Sequence, residues 1–344
     1  MRYSSKCYIE DLEQAIGNSL GLSSLEGKSI LVTGATGTIG SFIVDELLTY
    51  NQRHTNKIKI FATSRKLAHL EECFNDFKTP QLNYVEYDNL KPINFDFEVE
   101  YIIHNAGNSF PQAFKNDPIG TIMGNIKGTY NLLNYALTHG VKRFLYVSSG
   151  EIYGEETLDK GKFTERHTGH INPMSVRSCY PNSKRMCETL CSSFYVKNHL
   201  DTVVVRPCHT YGPLLTESDD RAHVQFIRNV LNGQKVLLKG QGLQLRSYCY
   251  VADCAAGILT ALFKGKTNNA YNIANKNSII TIHDLAQLIA DEGNSYVELK
   301  KMPKDENDSP IQKQVLDGMK LEELGWSGKY DIKKGIKHVL EILK

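Results

Sequence analysis

Tyr180 and Lys184 stand four residues apart in the stretch CYPNSK. That stretch opens a segment whose pattern predicts a helix over 181–198. The spacing puts both side chains on one helical face. A neighbouring ammonium and the positive charge of a cofactor lower a phenol's pKa, so a tyrosinate there can take a hydroxyl proton near neutral pH. Ser149 lies in LYVSSGEIYG, at the carboxyl end of a predicted strand, where ligands gather in a doubly wound sheet. It can share a substrate hydroxyl with Tyr180 and orient it for hydride transfer to a nicotinamide. Tyr-x-x-x-Lys recurs by chance, so its meaning depends on a dinucleotide site elsewhere in the chain.

The stretch ILVTGATGTIGSF supplies that site. A strand over 29–33 leads into Gly34, Gly37 and Gly40 and then a helix. The first glycine permits the turn, the second lets backbone approach a pyrophosphate, and the third packs helix on strand. The helix start adds donors and positive potential for phosphates. Thr36, Thr38 and Ile39 complete the loop's expected contacts. The second strand ends in FATSRK, with Ser64 and Arg65 where an NAD site usually places an acid. A guanidinium can clamp a 2′-phosphate in two-pronged fashion, which favours NADP while leaving NAD open. Asp88 and the HNAG run with Asn105, Ala106 and Gly107 are placed to border the adenine and its ribose. Asn125, Ser148 and Pro207 are expected to complete the cofactor's surroundings.

The elements that must position these groups follow from the hydrophobic pattern. Short β-branched runs alternate with helical segments, the signature of a parallel sheet covered on both faces. Strands are expected at 29–33, 57–63, 81–87, 101–104, 143–149 and 202–207. Helices are expected at 39–50, 67–77, 120–139 and 181–198. The reading is a Rossmann-type doubly wound α/β domain over 29–207, with a small mixed lobe for the substrate over 208–344. Residues 246–265 are expected to return to the main sheet, and AYNIAN to belong to the small lobe. KMPKDENDSPIQKQ reads as a surface loop. Residues 1–28 form a helical extension, with Ile9, Leu12, Ile16 and Leu20 at helical spacing, packed on the domain or on a second subunit.

Composition excludes other classes. The 344 residues are 41% hydrophobic and 23% charged, with a net charge of +2, so no basic footprint for nucleic acid is present. The apolar runs are strand-length, too short for a membrane span. The eight cysteines are scattered without a C-x-x-C pair, which points to reduced thiols in the cytoplasm and to no metal site.

Taken in order, TGATGTIG, SSGEIYG, YPNSK, RPCHTYGP, LRSYCYVAD and LGW resemble the extended short-chain dehydrogenase/reductases of the nucleotide-sugar epimerase, dehydratase and decarboxylase kind. The resemblance covers nearly the whole chain after about residue 28. GHINPMSVRSCYPNSKRMCETLCSSFY and RAHVQFIRNVLNGQKVLLKGQG are similar to stretches of UDP-glucuronate decarboxylases. The resemblance implies a catalytic triad of Ser149, Tyr180 and Lys184, a tightly held NAD or NADP, a nucleoside diphosphate sugar as substrate, and a homodimer built on two helices from each subunit. Glu151 matches the acid that dehydratases and decarboxylases carry two residues after the triad serine. Gly150 occupies the place of an aspartic acid in 4,6-dehydratases, which argues against ordinary dehydration. Arg177 matches a decarboxylase arginine able to hold a sugar carboxylate. Arg246 matches the arginine that meets the nucleotide phosphates, with Arg221 and Lys313 as further phosphate contacts. His209 stands where family members commonly have asparagine.

The resulting expectation is an enzyme working through a transient 4-keto sugar, of UDP-glucuronate decarboxylase type. A nucleotide-sugar 4-epimerase and an NADPH-consuming 4-ketoreductase or dehydratase stand as alternatives. A non-catalytic dinucleotide sensor is the reading from another class.

Overall fold

A computed structural model of the chain describes residues 2–155, 161–217, 219–300 and 311–344. The β-branched runs form parallel strands: β1 (Ser29–Thr33), β2 (Lys59–Ser64), β3 (Leu82–Glu86), β4 (Tyr101–His104), β5 (Arg143–Val147) and β6 (Thr202–Pro207). With β10 (Asn269–Ile273) they make a seven-stranded sheet in the order β10-β6-β5-β4-β1-β2-β3. All of its pairings are parallel. The order reverses between β1 and β4, and a crevice opens there at the carboxyl ends of the strands.

Strand alternation decides which helices cover which face. Ile30, Val32, Ile103, Leu145, Val203 and Val205 face one core. There they meet apolar residues of α2 (Thr38–Arg53) and α8 (Val251–Lys264). Leu31, Ile102, Phe144, Tyr146 and Val204 face the other core, built with α5 (Pro118–Thr138) and α6 (Cys179–Asn198). These strands are buried on both faces, which is why their sequences read as continuous apolar runs. The shorter helices α3 (Leu67–Cys73) and α4 (Pro111–Asn116) follow β2 and β4.

A second sheet of four strands holds β7 (His209–Tyr211), β9 (Leu245–Tyr250), β11 (Ile279–Thr281) and β13 (Lys313–Gln314). Strand β8 (Val236–Lys239) pairs with β12 (Val297–Lys300). The helices α7 (Ala222–Leu231), α9 (Ile282–Glu292), α10 (Met319–Glu322) and α11 (Ile332–Leu343) complete this half of the chain.

The expectation for residues 246–265 needs correction. Strand β9 belongs to the second sheet, and only α8 from that stretch packs on the main one. The seventh main-sheet strand is β10, inside AYNIAN, which had been expected in the small lobe. Joining a strand parallel to β6 needs a crossover helix before it. α8 supplies that crossover for β10, whereas β9 precedes the helix. The expected loop over 301–310 lies outside the described residues.

The N-terminal extension forms α1 (Lys6–Asn18), packed on α8, α2 and α11. Two buried carboxylates fasten it. Asp45 of α2 accepts from Arg2 Nε at 2.8 Å and from the Tyr8 hydroxyl at 2.5 Å, and also bonds Tyr3. Asp11 of α1 accepts from the Tyr250 hydroxyl at 2.6 Å and lies 2.8 Å from His338 Nδ1.

Candidate active site

The crevice is a cleft of about 620 Å³ bounded on one side by the main sheet and on the other by β7, β9 and the start of α7. Its floor is pinned by Thr33. The Thr33 hydroxyl oxygen accepts from the amides of Asn105 and Ala106 at 3.0 Å each. Its own proton therefore goes to His104 Nδ1, 2.8 Å away. Burial pushes the His104 imidazole down to about 3, so the ring stays neutral.

The glycine loop is shaped by close approach. Gly34 has φ +66° in the left-handed region, and a Cβ there would lie 2.9 Å from Ala106 Cα. A Cβ on Gly40 would lie 2.2 Å from the Gly34 carbonyl oxygen. Gly40 thus packs helix against loop and does not itself border the cleft, unlike Gly34, Thr36, Gly37, Thr38 and Ile39. Gly37 caps α2 without a side-chain oxygen, leaving the first amides of the helix without a capping side chain. These features fit a dinucleotide whose pyrophosphate meets backbone donors at a helix start.

Ser64, Arg65 and Asp88 border the same half of the cleft, with Arg65 exposed at its rim. Asn105, Ala106, Gly107, Ser148 and Pro207 border it too. Asn125 reaches across from α5, donating to the Ser183 hydroxyl at 2.9 Å.

Tyr180 and Lys184 project from the first turns of α6 into the middle of the cleft, both buried. Lys184 Nζ donates to the Val147 carbonyl at the end of β5 at 2.8 Å. It also lies 4.8 Å from the Tyr146 ring centre and 5.8 Å from that of Tyr180. Burial pushes the Lys184 ammonium down to about 8. Burial and the Glu151 carboxylate push the Tyr180 phenol up to about 12, against a Ser149 hydrogen bond and the charges of Arg221 and Arg177. Ser149 opens a tight turn over Gly150–Tyr153, and its hydroxyl accepts from the Glu151 amide at 3.1 Å.

The other half of the cleft is cationic. Arg177 Nη2 donates to Glu151 at 2.8 Å, while its buried Nε has no hydrogen-bond partner. Arg246 is held by the carbonyls of Leu245, Gln312 and Ile311 at 3.0, 3.2 and 2.6 Å. Arg221 grips Asp219 through Nε at 2.9 and 3.0 Å. His209 stands among them, held neutral by burial and by the charges of Arg246, His223, Arg221 and Arg177.

Lys313 is not brought into the cleft. Its neighbour Gln314, opposite Arg246 in the sheet register, borders it instead, as strand alternation requires. Sequence reasoning missed Phe114, Asp219, His223, Tyr248 and Gln314, all beside or within the site. None carries a chemical spacing of its own; the alternation around Arg246 gave a signal for Tyr248 alone, and Gln314 comes beside Arg246 only through the pairing of β13 with β9.

The model of the NAD dependent epimerase/dehydratase family matches residues 30–274. The chain belongs to this family. Members similar to it include UDP-glucuronic acid decarboxylase 6 of Arabidopsis thaliana, 32% identical over 307 residues that cover 89% of this chain and 86% of that protein. A solved UDP-glucose 4-epimerase of Thermotoga maritima with UDP-glucose superposes with a TM-score of 0.77 at 26% identity. It covers 91% of this chain and 98% of its own. A UDP-glucose 4-epimerase of Thermus thermophilus in complex with NAD shares the fold with a TM-score of 0.76 at 22% identity, over 92% and 98% of the two chains. As a family member the protein is an NAD-dependent nucleotide-sugar enzyme. Its Rossmann fold and its glycine loop are those that the sequence led us to expect. Among the described residues, no helix is long and apolar enough to cross a membrane.

Proposed function

We propose that the protein decarboxylates a UDP-linked uronic acid through a transient 4-keto sugar. The observation that carries this reading is the Arg177 guanidinium. One of its nitrogens holds Glu151 while the buried Nε beside the cleft lacks a partner, an arrangement suited to a second carboxylate. The identity to plant UDP-glucuronic acid decarboxylases supports it. Gly150 argues against 4,6-dehydration, since it offers no acid to protonate a departing hydroxyl; a Cβ there would meet the Leu316 methyls at 3.0 and 3.2 Å.

In this reading a dinucleotide held by the glycine loop and the residues bordering that half of the cleft would supply reversible hydride transfer, so that no net redox change occurs. Tyr180 takes the proton of the 4-hydroxyl, with Ser149 sharing that hydroxyl and Lys184 favouring the phenolate by its charge. The resulting β-keto acid loses carbon dioxide and leaves an enolate, which takes a proton from water at the carbon that bore the carboxylate. The 4-ketone so formed is reduced with the proton returned by Tyr180. Arg177 holds the carboxylate until it leaves, and Glu151 sets the place of Arg177. Arg246 and Arg221 receive the diphosphate, and His209 offers a neutral hydrogen-bonding group beside them.

Arg65 at the rim favours a 2′-phosphate and so NADP over NAD. It also supports a second reading, an NADPH-consuming 4-ketoreductase. The exposed apolar residues of α5 and α6, among them Ile119, Tyr130, Met186 and Val196, support a homodimer through these helices. Eight free cysteines support a reducing compartment such as the cytoplasm.

The test is incubation with a panel of UDP-sugars that includes UDP-glucuronate, following product masses and the dinucleotide spectrum. Release of carbon dioxide without net NADPH loss is expected. Stoichiometric NADPH oxidation against a keto-sugar would establish the reductase instead.

A further inference from the structure

We infer that Phe114 is a positioning residue that fixes the Tyr180 phenol and couples its seat to the substrate-binding half of the molecule. The inference rests on the reading that Tyr180 handles the sugar hydroxyl's proton.

Phe114 sits in the short helix α4 and is buried to 1% exposure. Its ring stacks on that of Tyr180 with centres 4.5 Å apart and planes 17° from parallel. The Arg177 guanidinium lies over the same Phe114 ring at 5.0 Å. Arg177 is held by Glu151 at 2.8 Å, and the Glu151 amide donates to Ser149 Oγ at 3.1 Å. Ser149 borders the same cleft as the phenol, and its hydroxyl favours the phenol's charged form. The five residues surround the reacting position. Four of them come from the β5 turn and the α6 start, and Phe114 alone comes from the segment after β4.

Removing Phe114 therefore takes away the one apolar member of this set. A stacked pair contributes about 0.5–1.5 kcal/mol beyond area burial. Its larger consequence is orientation, since Tyr180 has no other ring stacked on it among the described residues. A phenol displaced by about 1 Å loses on the order of 100-fold in rate.

The coupling runs through α4. The Gln112 amide donates to Asp220 Oδ1 at 3.2 Å. Asp220 lies between Asp219 and Arg221, the ion pair at the cationic end of the cleft. Through this contact, a shift of that loop on filling the cleft would be carried by α4 to Phe114, and so to the phenol.

The test compares Phe114→Leu, Phe114→Tyr and Asp220→Ala with wild type on the sugar nucleotide that wild type turns over fastest. Phe114→Leu is expected to lower kcat by about 10–100-fold with KM and dinucleotide affinity within a few-fold of wild type. Phe114→Tyr, which keeps the stack, should restore kcat. A tyrosinate absorbance titration, blanked with Tyr180→Phe, should show the Phe114→Leu phenol ionising at lower pH, because water reaches a ring that burial now protects. Asp220→Ala should lower kcat in the same direction by a smaller factor, and it decides the matter if Phe114→Leu does not fold. A folded Phe114→Leu with wild-type kcat and an unmoved phenol titration overturns the inference, as does an Asp220→Ala of unchanged kcat. If Tyr180→Phe itself keeps turnover, the catalytic reading fails instead. Loss of turnover in Tyr180→Phe beside an unaffected Phe114→Leu rejects the positioning role alone.

Discussion

Arg177 and Glu151 meet at 2.8 Å beside the Tyr180 phenol, with side chains exposed by only 12% and 22%. An ion pair this sheltered is strong evidence of a constrained geometry and weak evidence of stability, because desolvation offsets most of the attraction. In the proposed reading its position gives it a use: a substrate carboxylate entering the cleft would find a guanidinium already oriented.

Arg177→Ala should therefore raise KM for a UDP-uronic acid by about 10–150-fold, the loss of one charge-assisted contact worth roughly 1.5–3 kcal/mol. Steady-state kinetics beside UDP-glucose binding checks this. Equal weakening of UDP-glucose, which has no carboxylate, would show that Arg177 does not read that group.

Lys184 gives a pH prediction. Its ammonium is pushed from 10.5 to about 8 by burial. Between those values the unfolded chain holds the proton that the folded chain has released. Stability therefore rises with pH across that window. Below it, Lys184→Met should be the more stable protein by up to ~3 kcal/mol, less about 1 kcal/mol for the lost Val147 hydrogen bond. The gap should close as pH approaches 10.5. Urea unfolding of both proteins along the pH series measures it, and a constant gap would contradict the assignment.

Arg65→Ala should weaken NADP by about 10–100-fold while changing NAD little, since only the former carries a 2′-phosphate for the guanidinium. Titration with each dinucleotide gives the ratio. Equal losses would remove Arg65 from the phosphate's reader.

The clasp at the N-terminus should be energetically large. Arg2→Ala leaves the Asp45 carboxylate buried beside two phenols, a loss of about 3 kcal/mol and about 4 °C in Tm for a chain of this length. Burial already pushes Asp45 above the usual carboxylate range, and losing Arg2 raises it further. The folded state of the variant then binds the proton more readily, so its deficit should shrink as pH falls from neutral into the acid range. Thermal melts of both proteins at the two ends test the sign.

Pairing through α5 and α6 predicts that Ile119→Glu with Met186→Glu gives a monomer by sedimentation, because two charges would enter the apolar face. Persistence of a dimer in the double variant would place the interface elsewhere.

The sequence by itself determined the parallel sheet, the glycine turn and the face shared by Tyr180 and Lys184. Each depends on local rules: β-branched runs, a residue free to take positive φ, and four-residue spacing on a helix. β1, β4 and β6 therefore fall on the residues expected, Ser29–Thr33, Tyr101–His104 and Thr202–Pro207. What tertiary structure alone decided is what depends on partners distant along the chain. Whether β9 or β10 joined the main sheet turned on the crossover through α8, which hydrophobicity does not encode. Strand alternation gave the cleft to Gln314 instead of Lys313. Phe114, an ordinary apolar residue in sequence, became the neighbour of Tyr180 only when α4 folded over the crevice. Asp11 and Asp45, surface-like in composition, are buried because α1 carries Asp11 onto Tyr250 and His338 while the N-terminal segment brings Arg2 and Tyr8 to Asp45.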